Sequence, residues 1–478
     1  MNDFRTAGHS AVDLLADYLG GLADRPVWQA MDPDARERLL GLPLPQRGRG
    51  LEELVAAIGR EVLPFPMGNG HPRFFGWVNA APAPAGVLAT LAAAAMNPSS
   101  AGGDHADVHL ERTVVRWIAE LAGFPHPPGA GLLTSGASMA TIVALGAARN
   151  RAARGQGVDV REEGLTGLPP LVGYVSAETH SCVRKAAELL GLGSRNLRAV
   201  ATDAAGHLDP AALGAQVKAD RAAGLLPFLA VASAGTVNTG AVDDLAAVAD
   251  VCAEEQLWLH IDGAYGAFGV LDPAVAHRYT GLDRADSLAL DPHKWLGVPV
   301  DCGCVLVRDP VELRGTFSLV PSYLRDENAG GLGWFSEYGI EQTRPFRSLK
   351  VWATIAASGR EGIARDVAHC TAMARRLGEL VEQADGLELL AEVETSITAF
   401  RYAPAGVPGP VLDRVNRALP VAVQERGRAF VTGTVLAGRE AVRACLINPA
   451  VTEGDLAVLI EEVRTAGAEL LASLSLTQ

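Results

Sequence analysis

The sequence predicts an α/β protein. A largely parallel sheet is covered by helices on both faces, preceded by a helical arm and followed by a small α+β domain. Three observations carry this reading. Short apolar runs alternate with amphipathic helical runs through the middle of the chain, the pattern of strand–helix–strand units. The strand runs are apolar throughout instead of alternating, as strands buried on both faces must be. Polar residues follow several of these runs, at the carboxyl ends where open α/β sheets gather ligands.

The elements follow in order. "SAVDLLADYLGGLA" (10–23) places Ser10 as an N-cap before apolar residues at helical spacing, and "GLEELVAAIGREVL" (50–63) repeats the pattern. Residues 1–80 read as an arm of helices joined by Pro/Gly loops. Each helix has too little apolar surface to stand alone, so the arm is expected to pack on a partner subunit. Residues 81–355 read as the large domain. Its strands are "LVGYVSA" (171–177), "LRAVATD" (197–203), "FLAVASA" (228–234) and "LWLHIDGAY" (257–265). The intervening helices are "SCVRKAAELL", "DPAALGAQVKADRAAG" and "VDDLAAVADVCAEE". "RNRAARGQGVDVREEGLTGLPP" (149–170) is Arg/Gly-rich and aperiodic and reads as a surface loop. Residues 356–478, with "TSITAFRYA" and "VRACLINPAVTEGDLAVLIEEV", read as the small C-terminal domain.

Composition narrows the function classes. At 478 residues the chain exceeds what one core organises. Its 49% hydrophobic and 20% charged content fits a globular protein. A net charge of −14 argues against nucleic acid or an anionic membrane as main partner. "APAPAGVLATLAAAAM" (81–96) is too short and too proline-broken to span a bilayer. "MNDFRTAGHS" lacks a secretory n-region and h-region, so the expected location is cytoplasmic. The six cysteines are scattered without CxxC spacing and read as free buried thiols. Cys302 and Cys304 alternate in "DCGCVLV", which suits one face of a strand better than a metal site, and no metal is expected.

Four segments place chemistry at strand ends. "LLTSGASMATIVALGAARN" opens a helix from a turn containing Gly136, Ala137 and Ser138, aiming backbone N–H groups and a hydroxyl at one point that suits a phosphate. An ordinary N-cap is the rival reading. "AETHSCVRKA" puts His180 at a strand-to-helix junction, where a cap is the rival. "LHIDGAYGAF" puts Asp262 at the end of an apolar strand, where a carboxylate needs a cationic or proton-sharing partner. "SLALDPHKWLGV" puts Lys294 in a partly apolar setting that favours a nucleophilic amine. A lysine snorkelling past Trp295 is the rival there. Singly these are weak signals. Together, in this order, they describe the needs of one ligand, pyridoxal 5′-phosphate. The aldehyde takes the lysine, the ring nitrogen the aspartate, the phosphate the turn, and the ring face an aromatic side chain.

These residues resemble the group II pyridoxal-phosphate-dependent amino-acid decarboxylases of fold type I, the relatives of aromatic-amino-acid and glutamate decarboxylases. The resemblance runs through "HPRFFGW" (71–77), "TSGASMAT" (134–141), "ETHSCVRKA" (178–186), "ASAGTVNTGAVDD" (232–244), "LWLHIDGAYGAF" (257–268), "ADSLALDPHKWLGVPVDCG" (285–303), "FRSLKVW" (346–352) and "VRACLINPAVTEGD" (442–455). It implies a mostly parallel seven-stranded sheet and a cytoplasmic homodimer whose arm clasps the partner, with the active site at the subunit interface. It also implies roles. Lys294 forms the Schiff base, His180 stacks on the ring, and Asp262 keeps the ring nitrogen protonated. Gly136, Ala137, Ser138 and His293 surround the phosphate. Ala264 touches the ring, and Thr236 lies near the ring and the substrate carboxylate. The implied reaction releases carbon dioxide from an L-amino acid, after which a donor must return a proton to Cα.

Two departures bear on the reaction. In the family a loop tyrosine before the "FRSLK" segment is the donor. In "LGWFSEYGIEQTRPFRSLK" gap-free counting puts Phe335 there, and Tyr338 fits only if three residues are lost. Phenylalanine has no proton to give. The resemblance therefore leaves open an amine product, an aldehyde formed with dioxygen by oxidative deamination, or β-elimination. The last two would suit a secondary-metabolite pathway such as antibiotic biosynthesis. The second departure is polarity. Trp77, Val78, Asn97, Ser99, Asp104 and His105 would line a pocket more polar than one built for a bare indole, and so imply a substrate with polar substituents. A solvated loop is the rival reading.

Overall fold

The computed structural model describes residues 2–319 and 332–476. The chain divides into two compact units. One comprises residues 1–81, 373–391 and 398–478, and the other residues 82–372 and 392–397.

The first unit contains helices α1 (Asn2–Gly20), α2 (Pro33–Leu40) and α3 (Leu51–Ala57), which continues as a π-turn to Val62. Ser10 is not a cap. Helix α1 begins eight residues earlier, and the Ser10 hydroxyl bonds back to the Thr6 carbonyl at 3.2 Å. The serine was a plausible start signal, but "NDFRTAGH" before it also has helix-forming residues. Part of the arm docks on the chain's own C-terminal elements. Phe74 stacks on Phe430 with ring centroids 4.7 Å apart, Val27 is buried with them, and the Phe75 N–H donates to the Phe430 carbonyl at 2.7 Å.

The second unit begins with α4 (Pro84–Met96) and α5 (Ala106–Ala122). Then come β1 (Gly131–Thr134), α6 (Ala137–Gly155), α7 (Val160–Glu163), β2 (Leu171–Ser176), α8 (Ser181–Leu189) and β3 (Leu197–Val200). They are followed by α9 (Pro210–Ala222), β4 (Leu226–Ser233), α10 (Leu245–Glu254), β5 (Trp258–Asp262), β6 (Ser287–Leu290), β7 (Gly303–Val307) and α11 (Pro310–Phe317). The expected loop 149–170 is corrected by α6 and α7. The run "RNRAARG" continues α6 because Asn150 and Ala153 face the core, and Asp159 caps α7 through its contact with the Arg161 N–H.

The seven strands lie in the order β1-β7-β6-β5-β4-β2-β3. β2 to β6 run parallel, and β7 is antiparallel to both its neighbours, β1 and β6. The sheet is therefore mostly parallel, as expected, with one reversed strand. Apolar side chains of α6 and α8, among them Val143, Leu145 and Val183, meet Leu229, Val231 and Trp258 in the core. This burial removes both sheet faces from water and leaves the strand ends to carry chemistry.

Helix α12 (Arg347–Gln383) is broken at Gly359, whose φ of 64° and ψ of 168° leave the helical region. It crosses the expected boundary at 355/356. The remaining elements are β8 (Leu387–Leu389), β9 (Ile397–Tyr402), α13 (Gly409–Glu425), β10 (Thr432–Leu436), β11 (Arg439–Cys445) and α14 (Glu453–Leu476). The four strands form a sheet in the order β10-β11-β9-β8, with β10 antiparallel to β11 and β8 antiparallel to β9. All six cysteines are buried free thiols. Among the described residues no cluster suits a metal ion, and no helix is long and apolar enough to cross a membrane.

Candidate active site

The strand ends of the second unit bring together residues far apart in sequence. β1 ends at Thr134, and a turn through Gly136 enters α6. The start of β7 lies against this turn. A Cβ on Gly303 would come within 2.4 Å of the Gly136 backbone, which explains a glycine there. The Ala137 N–H at the start of α6 donates to Asp291 Oδ1 at 2.6 Å. The Ser138 side chain is exposed beside it.

Asp291 follows β6 and begins the tight turn that presents Lys294, whose N–H donates to the Asp291 carbonyl at 2.9 Å. The side chains meet as well. Lys294 Nζ lies 2.9 Å from Asp291 Oδ2. His293 Nδ1 is 2.8 Å from the Cys302 carbonyl and 3.7 Å from Asp291 Oδ1. Sequence reading passed over Asp291. The signal was its place three residues before a lysine, at a strand end.

Asp262 ends β5, one strand away. Its Oδ1 accepts from the Ala264 N–H at 3.1 Å, and its Oδ2 lies 4.0 Å from Cys182 Sγ. Burial, then the Asp262 charge, push the Cys182 thiol up to about 12. The same residue steadies His180, because the Cys182 N–H donates to His180 Nδ1 at 3.2 Å. His180 is therefore a helix cap as well as a candidate ring partner, and its side chain is exposed. Thr236 is buried, with its hydroxyl 3.0 Å from Thr239 Oγ1 and accepting from the Ala241 N–H at 3.1 Å. Asn238 ties this loop to Glu178, two residues before His180, at 2.8 Å. Behind the lysine, Trp295 stacks on Tyr265 with centroids 5.3 Å apart and planes 12° from parallel.

The two strand-end carboxylates differ in one respect. Asp291 has an ammonium partner. Asp262 is only 8% exposed and has no ion pair among the described residues. A buried carboxylate without a cation is costly. A protonated pyridine nitrogen supplies that cation, and the turn into α6 supplies a backbone N–H at Ser138 for a phosphate, the Ala137 N–H being taken by Asp291. The residues present thus fit pyridoxal phosphate.

Phe335 and Tyr338 lie elsewhere in the same unit. Phe335 is buried in the core beneath two guanidinium groups, with Arg344 Cζ 4.9 Å and Arg112 Cζ 5.8 Å from its ring centroid. The Tyr338 hydroxyl donates to the Leu332 carbonyl, and burial raises its pKa. Both line a cavity of about 230 Å³ with Arg112, Arg116 and His126. Neither hydrogen-bonds to or stacks on Lys294, Asp262 or His180 among the described residues.

The polar pocket candidates fall in both units. Trp77 and Val78 belong to the first unit, where the Trp77 carbonyl accepts from Arg443 at 2.7 Å. Asn97 ends α4 in the left-handed region, with φ 47° and ψ 46°, a position that favours asparagine whatever the ligand. Ser99 is exposed. His105 precedes α5 with a side chain 43% exposed, and its Nδ1 bonds to the buried carboxylate of Asp107. Asp104 pairs with His109 at 2.7 Å.

The fold and this site define a pyridoxal-phosphate enzyme of fold type I. Residues 33–403 match the pyridoxal-dependent decarboxylase conserved domain. The chain is 32% identical to an aromatic-L-amino-acid decarboxylase of Bacillus atrophaeus, covering 98% of this chain and 97% of that one. It is 30% identical to the Sus scrofa enzyme of the same name, over 99% and 98% of the two chains. The crystal structure of Oryza sativa TDC with PLP and tryptamine superposes with a TM-score of 0.90 at 28% identity, covering 98% of this chain and 99% of the other. The chain belongs to the pyridoxal-dependent decarboxylase family, and its cofactor is pyridoxal 5′-phosphate.

Proposed function

We propose that this enzyme decarboxylates an aromatic L-amino acid carrying polar substituents and releases the amine. The observation that supports this reading most directly is the unequal state of the two buried carboxylates, one paired to Lys294 and one without a cation. Names of the relatives favour an aromatic substrate, and polar substituents on its ring are the part of this reading carried over from the sequence alone.

In this reading Lys294 supplies the amine that anchors the cofactor. Asp262 holds a positive charge on the ring nitrogen, and His180 covers the ring face. The Ser138 N–H and hydroxyl, with His293, hold the phosphate, while the Ala137 N–H stays on Asp291. Thr236 steers the substrate carboxylate in this reading. The bound cofactor supplies an electron-withdrawing ring conjugated to the substrate Cα, which takes up the electrons left by carbon dioxide. The protein's task is to hold that bond perpendicular to the ring and to return a proton to Cα. Phe335 is buried beneath Arg344, and the choice between an amine and an aldehyde product is decided by product analysis. A homodimer is the active form in this reading. Leu88, Leu91 and Met96 leave one helix with an exposed apolar face that a second copy would cover.

The test is product analysis. The purified protein with pyridoxal phosphate is offered L-phenylalanine, L-tyrosine, L-dopa, L-tryptophan and 5-hydroxy-L-tryptophan, with carbon dioxide, amine and oxygen uptake followed together. Amine matching carbon dioxide one to one, best with a hydroxylated ring and abolished by Lys294→Ala, is the expected result. Oxygen uptake matching carbon dioxide would replace this reading with oxidative deamination, and absence of carbon dioxide would end it.

A further inference from the structure

Asp291 makes a contact that binding of the cofactor does not require. Its carboxylate is 4% exposed, and its two oxygens are divided between two partners. Oδ1 accepts from the Ala137 N–H at 2.6 Å, at the positive end of α6. Oδ2 lies 2.9 Å from Lys294 Nζ. The two side chains stand at the ends of one turn, closed by the Lys294 N–H on the Asp291 carbonyl and followed by Gly297 on the Lys294 carbonyl. The Asp291 N–H bonds to the Ala264 carbonyl at 3.2 Å, so the residue is fixed on its other side by the segment carrying Asp262. The carboxylate is preset, and the flexible partner is the lysine.

We propose that Asp291 is the docking group for the Lys294 ammonium whenever that nitrogen is not bonded to carbon. The inference rests on Lys294 being the reactive amine. An ammonium has no lone pair to offer, and the ion pair holds the proton on Lys294, so reaction with an aldehyde requires Lys294 to give up a proton to solvent and leave the pair. The reverse event restores it. When an incoming substrate ammonium displaces Lys294 from carbon, its nitrogen forms the bond that Lys294 loses. It also hands over two protons, so Lys294 leaves as an ammonium and no electrons change hands. A preset anion beside the leaving nitrogen captures it before it can return. Asp262 cannot serve both purposes, because its charge is needed at the ring nitrogen. Two carboxylates on neighbouring strand ends thus divide the work, one holding the ring and one the displaced lysine.

The experiment uses the full chain freed of cofactor. Pyridoxal, which lacks the phosphate and so does not engage the turn at Ser138, is added at neutral pH. Borohydride traps the adduct at intervals, and peptide mass analysis measures modification at Lys294. Asp291→Asn keeps an oxygen for the Ala137 N–H and removes the charge. Lys294 in that variant is expected to be modified roughly tenfold faster than in the unaltered protein. An equal or slower rate overturns the proposal. A second measurement guards against misfolding. In the cofactor-free protein, Lys294→Met is expected to lower the melting temperature in the unaltered background and to leave it unchanged in the Asp291→Asn background. The same loss in both backgrounds overturns the proposal. Trapping the unaltered protein with pyridoxal phosphate separates the two failures. Label at another lysine removes the reading of Lys294, whereas label at Lys294 with no dependence on Asp291 removes only this inference.

Discussion

Arg344 Nη2 lies 2.5 Å from Glu111 Oε1, and both side chains are only 1% exposed. The guanidinium also donates to the carbonyls of Ser100 and Leu133 at 2.8 and 2.6 Å, and Glu111 Oε1 accepts from the Leu133 N–H at 2.9 Å. The pair therefore fixes the end of β1, just before the turn read as the phosphate site. Removing one partner leaves a buried charge without compensation, which costs about 3–5 kcal/mol. Arg344→Met should lower the denaturation midpoint accordingly, and Glu111→Leu combined with it should recover much of the loss. Arg344→Lys should not rescue, since one ammonium cannot span three acceptors in the fork geometry. Thermal or denaturant melts of the four proteins check this.

Asp262 leads to a sharper separation between binding and turnover. Asp262→Asn keeps the hydrogen bond to the Ala264 N–H and removes the charge. The cofactor should still attach through Lys294, so the visible absorbance persists. The rate of carbon dioxide release should fall ~10²–10³-fold, the size of effect seen when one preorganised electrostatic contact is lost. Absorbance and carbon dioxide release measured on the same sample check both halves.

Much of this site was legible because its chemistry is local. Asp262 and His180 each sit beside a strand run that the pattern located within a few residues, and Lys294 and the turn at Gly136 each follow a short apolar run. The structure's own additions depend on distance in sequence. Arg344 and Glu111 are 233 residues apart, and no spacing rule pairs them. The reversal of β7 depends on its pairing with β1 and β6, which "DCGCVLV" does not encode. Ser10 and the 149–155 segment failed differently, since capping and Gly-rich signals were outweighed by helix-forming neighbours and a buried face. Asn97 carried a polar side chain for a backbone reason.

Proton return to Cα is the step in which neither Phe335 nor Tyr338 has a free acidic proton to give. Phe335 packs beneath Arg344, and the Tyr338 hydroxyl is committed to the Leu332 carbonyl. Phe335→Tyr should lower stability without changing the product, and Tyr338→Phe should leave the ratio of amine to aldehyde unaltered. The next phenol upstream in the sequence is Tyr323, which lies outside the described residues. Tyr323→Phe is expected to shift product from amine toward aldehyde with oxygen uptake. An oxygen electrode run beside amine detection on all three variants decides the matter. A product change in Phe335→Tyr alone would return the donor position to residue 335.

Stability should fall in mild alkali because of His207. Its Nε2 lies 2.7 Å from Glu394, and its Nδ1 2.9 Å from Asp203. Bonding to Glu394 and then to Asp203, against the opposing effect of burial, raises its pKa from 6.5 to about 9. Glu394 also takes Arg278 at 2.8 Å and the Val242 N–H at 3.1 Å, while Thr395 beside it bonds to the Gly240 carbonyl at 2.8 Å, in the loop that carries Thr236. A histidine whose folded pKa exceeds its unfolded value binds its proton more tightly in the native state. Its stabilisation is complete below about pH 6.5 and is lost as pH rises through about 9. The melting temperature should therefore drop between these values by roughly 2–4 °C beyond any general trend. His207→Gln should start lower and show a flatter profile across the same interval. Melts at half-unit steps from pH 6 to 9.5 test this, and parallel profiles for the two proteins would mean that His207 does not couple folding to pH.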